Sequence, residues 1–226
     1  MGAAGRPQFG WERRHASAAH EVFAFDFWLP DGTLAGFACL TLHPRGAWYW
    51  AGLVGDGRPY LLVLELELAV PRGPRALDIR GEALWADLVC EVAFDQWSIG
   101  LEAFGVAFDD PDEAVRSARG DRTGLGFDLG WQADASTFDG GEGAYVQTGL
   151  VDGEILVGSS GAVERIAFDG LGSRRHLWGD AALASPPPVT GAVRHRAPIK
   201  VGPQPFERQL IDRSGIYEWV DMGPPD

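Results

Sequence analysis

Residues Leu84–Phe108, LWADLVCEVAFDQWSIGLEAFGVAF, decide how this chain folds. In the first half the even positions Leu84, Ala86, Leu88, Cys90, Val92 and Phe94 are all apolar, while the odd ones carry Trp85, Asp87, Val89, Glu91 and Asp95. A period of two is the signature of a pleated strand with one apolar face. Past Gln96 the pattern resumes with Trp97, Ile99, Leu101 and Ala103 on one face, then slips so that Phe104, Val106 and Phe108 take the other. The glycine at the slip, Gly105, predicts a bulge or a bend of the kind that turns a barrel corner.

The same alternation extends outward in both directions. Upstream, Val22–Leu29 and Leu34–His43 form a hairpin across Pro30-Asp31-Gly32, a turn in which glycine supplies the positive φ. Strands follow at Ala47–Leu53, at Tyr60–Val70 with Leu62, Leu64, Leu66 and Leu68 on one face, and at Leu77–Arg80. Downstream, Asp109-Asp110-Pro111 starts a helix of about two turns, with a capping Asp, Pro in the first turn and arginines at Arg116 and Arg119. Further strands are expected at Leu125–Gln132, Ala144–Leu150, Glu154–Gly158, Val163–Phe168, Ala192–Val201, Phe206–Ile211 and Ile216–Asp221. Gly172–Asp180, GSRRHLWGD, reads as a loop, and Ser185–Val189, SPPPV, as a connection. Turn signals at this spacing indicate an all-β protein with one short helix. The strands divide into two comparable sets, which implies either two small barrels side by side or one large closed one, with a flexible lead-in over residues 1–20, one half over 21–132 and a second over 133–226.

A net charge of -13 argues against a nucleic-acid partner, which requires clustered Lys and Arg. No apolar run approaches the length of a membrane-spanning helix, and the first residues lack the apolar centre of a secretory signal, so a cytoplasmic protein is expected. Cys39 and Cys90 fall inside strand patterns and read as buried, reduced thiols. His15, His20, His43 and His195 are scattered without carboxylate company in the sequence, so neither a metal site nor a cofactor is expected. No glycine-rich loop joins a strand to a helix, and no nucleophile elbow is present.

The runs Gly81–Glu91, Gln96–Ala114 and Gly126–Gln132, the Tyr145-Val146-Gln147 strand and Gly170–Asp180 together resemble a branch of the carotenoid 1,2-hydratase and AttH-like group of tandem lipocalin-like proteins. The resemblance extends over about residues 22–221. It implies two calycin-type antiparallel half-barrels and an elongated apolar ligand, such as an isoprenoid, a steroid or a polyketide. The group's Asp-His-x-Trp-Gly motif falls on Arg175-His176-Leu177-Trp178-Gly179, so His176, Trp178 and Gly179 match and Arg175 stands where the hydratases carry their proposed proton donor.

Alkene hydration or a related cyclisation needs a carboxylic acid kept protonated by apolar surroundings, and aromatic faces to stabilise a cation. Glu91 and Glu102 are the candidate acids, Asp87 accompanies them, and Trp85 and Trp97 are the nearby faces. His176 is the candidate orienting base, with Tyr145, Arg175 and Trp178 as further ligand contacts. The alternative for the carboxylates is the solvent side of a strand. For His176 and Trp178 it is a backbone hydrogen bond and a plug in the barrel end. Three functional classes follow: a cofactor-free hydratase, isomerase or cyclase; a carrier with the same cavity; and a filled barrel that binds nothing. The oligomeric state is not encoded in any feature of the sequence.

Overall fold

The structure, a computed structural model, describes residues 9–73, 76–116, 119–141, 143–159, 161–183, 190–201 and 204–222. Residues 1–8 of the expected lead-in and the Ser185–Val189 connection lie outside them. In chain order the strands are β1 (Glu21–Trp28), β2 (Leu34–His43), β3 (Gly46–Gly55), β4 (Tyr60–Leu68), β5 (Ala76–Arg80), β6 (Leu84–Val92), β7 (Gln96–Phe108), β8 (Asp121–Gly141), β9 (Ala144–Ser159), β10 (Ala162–Trp178), β11 (Ala192–Val201), β12 (Gln204–Asp212) and β13 (Tyr217–Met222). A single-turn helix, α1 (Glu113–Arg116), precedes β8, and a 3-10 turn, Phe9–Glu12, precedes β1.

Ten strands form one antiparallel sheet in the order β4-β3-β2-β1-β10-β9-β8-β7-β6-β5, and a second pairing of β4 with β7 closes the first eight into a ring. The strands β5 and β6 continue the sheet beyond the closure. The remaining strands form a separate sheet in the order β11-β12-β13. Residues on both sides of position 132 share the ring, since β8 runs from Asp121 to Gly141 and β10 pairs with β1. No helix among the described residues is long and apolar enough to cross a membrane.

Gly105 marks the closure. β7 pairs with β6 from Gln96 to Ala103 and with β4 from Val106 to Phe108. Its register with β8 is unbroken through the same stretch, so the slip in the apolar pattern is a change of neighbour rather than a bulge. A Cβ on Gly105 would lie 2.4 Å from the Leu62 carbonyl oxygen, which is why only glycine fits there. The residues after it serve a different core: Phe108 packs with Tyr60 and Leu62 on the outside of the ring, while Trp97, Ile99 and Leu101 face its inside.

Two cores result. Inside the ring, Phe23, Phe25, Phe27, Leu40, Ile99, Leu101, Phe127 and Leu129 pack together through the middle. Fully burying side chains of this kind is worth about 1.5–3 kcal/mol each. Outside it, Trp28, Phe37, Val54 and Leu62 meet Ala197, Ile199, Leu210 and Trp219 of the three-stranded sheet. The Pro30-Asp31-Gly32 turn forms as expected, with Gly32 at φ 68° and the Asp31 carboxylate accepting from the Thr33 backbone N and Oγ1.

Four local expectations are corrected. The alternation of Leu62, Leu64, Leu66 and Leu68 breaks at Glu67, whose φ of 56° accompanies a register shift against β3 and turns Leu68 into the inner core while Leu66 stays exposed. The helix described is one turn rather than two, started by Asp110, whose carboxylate accepts from the Asp112 backbone N. Ala144–Leu150 and Glu154–Gly158 are one strand, β9, because β8 and β10 hold the Asp152-Gly153 pair between them on both sides. Gly172–Trp178 is not a loop but the end of β10, in which Phe168, Gly170, Gly172, Arg174 and His176 alternate inward. Glycines and ionic side chains on an inward face hide a period of two from any reading based on hydrophobicity.

Candidate functional site

The inward-facing polar residues gather at one end of the ring, where β7 and β9 begin and β1 is joined by the end of β10. β10 brings Arg174 and His176 on its inner face, β9 brings Tyr145 and Gln147, and β7 brings Trp97. The 3-10 turn before β1 closes this end by inserting Glu12, which is 1% exposed.

Glu12 is fully engaged. Its Oε1 accepts from Arg174 Nη2 at 2.5 Å and from the Tyr145 hydroxyl at 2.7 Å, and its Oε2 accepts from Trp97 Nε1 at 2.9 Å and from the Cys90 thiol at 3.7 Å. Arg174 also donates to the Tyr145 hydroxyl oxygen at 2.9 Å and to Gln147 Oε1, and its guanidinium lies 5.0–5.3 Å from the ring centres of Trp131, Tyr145 and Trp97. Burial alone raises the Glu12 pKa, but the Arg174 charge and the converging hydrogen bonds outweigh it and hold the carboxyl below its ordinary value. Burial pushes the Tyr145 phenol the other way, well above its ordinary range.

A second cluster adjoins the first. Glu21, the first residue of β1, lies diagonally from His176 across the β1–β10 pair, in which Glu21 faces Trp178 and Phe23 faces His176. Glu21 Oε1 lies 2.8 Å from His176 Nε2 and 2.8 Å from His15 Nδ1, and both carboxylate oxygens accept from the His15 backbone N. The rings are held by stacking: His15 on Trp178 with centroids 4.2 Å apart, His176 on Phe23 at 4.0 Å. Burial favours a raised Glu21 pKa, yet the bonds from His15 and His176 bring it down to about 2. Burial lowers that of His176, with the hydrogen bond and charge of Glu21 opposing.

Four of the residues expected from the sequence therefore meet at this end: Trp97, Tyr145, His176 and Trp178. The others do not. Glu91 is exposed and accepts from Ser98 Oγ at 3.0 Å, and Glu102 is exposed on the outer face of β7. Trp85 lies on the outer face of β6, with its indole N–H on Asp78 at 3.2 Å and the Arg80 guanidinium over its ring. Asp87 is half-buried beside Asp78 and Asp128 on that face, and desolvation raises its pKa. Arg175 points away from His176, to Asp221 at 2.8 Å and Asp26 at 3.7 Å, and so ties β10 to the three-stranded sheet. The inward carboxylates are Glu12 and Glu21 instead, and the expectation that His15 lacks an acidic partner is corrected by Glu21. A hint lay in the sequence: a glutamate amid the Trp11–Arg14 run that ends shortly before β1, and a second on the strand's first residue.

The opposite end of the ring is open. A cleft of about 1240 Å³ lies where β4, β8 and β10 start, floored by Leu61 and Val157 and rimmed by Asp109, Asp121 and Arg122. Phe104, 58% exposed, separates it from a smaller cleft of about 650 Å³ that Glu102 and Val163 also line.

No curated protein matches the sequence. Two solved structures show a likeness: a crystal structure of CghA with Sch210972, at TM-score 0.41 and 11% identity over 90% of this chain and 56% of that one, and a crystal structure of CghA, at 0.40 and 13% over 90% and 56%. The chain thus spans little more than half the length of these neighbours. A model of a domain of unknown function, DUF7064, matches residues 10–185, which include the ring and both of its ends, and the chain belongs to that family.

Proposed function

We propose that this protein binds a hydrophobic small molecule at the open mouth of the ring, as a carrier. The observation that carries this reading is Phe104, a large aromatic side chain 58% exposed on the ridge between two clefts. Exposed aromatic surface beside a concave, partly apolar floor is the ordinary form of a small-molecule site. Leu61 and Val157 connect that floor to the inner core, and Arg122, stacked on Phe104 at 4.5 Å, supplies a polar contact at the rim. The resemblance of the sequence motifs to the carotenoid hydratase and AttH-like group is in keeping with an isoprenoid, steroid or polyketide ligand.

Hydratase chemistry has less support. It requires a carboxylic acid that is protonated at neutral pH, whereas Glu12 and Glu21 are both held as carboxylates and Glu91 and Glu102 face solvent. The convergence of Trp97, Tyr145, His176 and Trp178 favours an isomerase or cyclase as the second reading, with His176 as base.

Titration with a dye that fluoresces in apolar surroundings is expected to show one saturable site, displaced by a long-chain isoprenoid alcohol. Phe104→Asp weakens that site about tenfold or more, the cost of removing one buried phenyl contact, with no change in melting temperature. The absence of saturable binding, or binding indifferent to Phe104→Asp, overturns the proposal. Mass spectrometry of the ligand after incubation separates the readings, since a carrier returns it unchanged.

A further inference from the structure

Four acidic side chains are buried among the described residues: Glu12, Glu21, Asp26 and Glu207. Three of them have a guanidinium partner: Arg174 for Glu12, Arg208 for Asp26 and Arg196 for Glu207. Glu21 has none. Its partners are two imidazoles and one backbone N–H, all of which a neutral group can supply. The side-chain groups that meet this buried carboxylate are two imidazoles, which are also metal ligands.

The donor set around Glu21 suits a metal ion. His15 Nδ1, His176 Nε2 and the Glu21 carboxylate all lie within 4.8 Å of one another, and these are the nitrogen and oxygen ligands that zinc prefers. The two buried members, Glu21 and His176, come from paired strands and are fixed by the sheet. The third, His15, is 21% exposed, so one side of the cluster opens to solvent. Stacking on Trp178 and on Phe23 holds both imidazole planes. In the His176 ring the proton can move to Nδ1, which has no hydrogen-bond partner, and leave Nε2 as a ligand.

We propose that His15, Glu21 and His176 form a site for a divalent transition-metal ion of the zinc type, with a solvent-facing fourth position. The ion sits against the Glu21 carboxylate and ties the segment before β1 to the end of β10. The site lies at the opposite end of the ring from the proposed ligand mouth and does not depend on that reading.

The test uses the full-length protein, freed of metal by a chelator and titrated calorimetrically with Zn²⁺ alone. One equivalent is expected to bind in the micromolar range or tighter and to raise the melting temperature. Co²⁺ in the same protein is expected to give the visible absorption of a four- or five-coordinate nitrogen and oxygen site. His15→Ala, at the partly exposed position, and Glu21→Gln, which retains the shape of the side chain, each weaken binding by more than about tenfold. His195→Ala, on the three-stranded sheet beside the Gly32 carbonyl, leaves it unchanged. Because the chain is strongly acidic, weak binding of several ions to the surface is the main competitor. Binding that survives both His15→Ala and Glu21→Gln, or no stoichiometric binding to a wild-type protein that melts cooperatively, overturns the proposal.

Discussion

Two buried arginines hold this molecule together, one inside the ring and one outside it, and their surroundings are alike in kind. Arg174 is 2% exposed, lies against Trp97, Trp131 and Tyr145, and pairs with Glu12. Arg208 is 1% exposed, lies against Phe37 and Trp219, and pairs with Asp26 at 2.8 Å and Asp221 at 2.7 Å. A cysteine thiol adjoins each pair: Cys90 donates to Glu12, and Cys39 accepts from Arg208 at 3.6 Å. The difference lies in where the carboxylate sits. Asp26 is in the middle of β1 on the outer face of the ring, and cannot reach water unless the whole three-stranded sheet lifts off. Glu12 is on a short turn ahead of the first strand and can leave with that turn alone. A buried ion pair therefore stabilises the docking of a whole sheet at one site and of a short segment at the other.

The largest expected effect follows at the outer site. Arg208→Met keeps the hydrocarbon over Phe37 and Trp219 but leaves Asp26 buried, with Arg175 at 3.7 Å as its remaining cation. Removing one partner of a buried pair typically costs about 3–5 kcal/mol. The loss is expected in full in the cooperative unfolding transition measured with urea. A change below about 1 kcal/mol would show that Arg175 takes over Asp26, and would remove the asymmetry between the two sites.

Acid acts on both sites, in a calculable order. Asp221 is held well below its ordinary pKa of 3.8, since Arg208 and Arg175 outweigh the effect of its burial, and Glu12 lies below its ordinary 4.5 for the corresponding reason with Arg174. A carboxylate whose folded pKa is depressed contributes stability that is present above its unfolded value and lost as pH falls through the folded one. Stability is thus expected to be flat with respect to these two groups above about pH 5, and to decline below pH 4.5, with Glu12 first. Pepsin digestion across this range is expected to cut the segment before β1 before the sheet becomes susceptible. Simultaneous cleavage at both would mean that the segment is not a separate unit.

The sequence made single strands legible and the closure of the ring obscure, and the physical reason is the same for both. Alternation reports burial of apolar groups, so Leu84–Cys90 and Trp97–Ala103 could be read to the residue. It fails where the inward face is ionic or glycine, as along Gly170–His176, and where a strand changes neighbours, as at Gly105. The site divides along the same line. Trp97, Tyr145, His176 and Trp178 were accessible through motif resemblance, whereas Glu12 and Glu21 were not. Their partners, Arg174 and His176, lie 162 and 155 residues away, and no local pattern reports a pairing at that distance. Glu91 and Glu102 interrupt apolar runs, which is also what solvent-facing positions on a half-buried strand do.

At the inner site a smaller global effect is expected. Arg174→Met strips Glu12 of its cation, but the turn can carry that carboxylate into water, so the cost is limited to undocking, roughly 1–2 kcal/mol. The signature is local: Cys90, buried in the wild type, becomes reactive to a thiol reagent under native conditions, while Cys39, whose thiol burial pushes up to about 12, stays inert. In Arg208→Met the expected order is reversed, with no native-state labelling of Cys90 below the unfolding transition. Labelling of neither cysteine in Arg174→Met would show that Glu12 stays in place without its arginine.

The finest comparison separates charge from hydrogen bonding at the inner site. The Tyr145 hydroxyl donates to Glu12 at 2.7 Å and accepts from Arg174 at 2.9 Å, whereas at the outer site Arg208 reaches its carboxylates with no hydroxyl between. Tyr145→Phe removes both of these hydroxyl bonds but leaves the Arg174 to Glu12 contact and the Trp97 bond in place, so roughly 1–2 kcal/mol is expected, at about 1 kcal/mol net for each bond lost. Because the ion pair persists, Cys90 is expected to remain protected, unlike in Arg174→Met. If Tyr145→Phe exposes Cys90 as fully as Arg174→Met does, it is the bridging hydroxyl and not the cation that keeps Glu12 inside the ring.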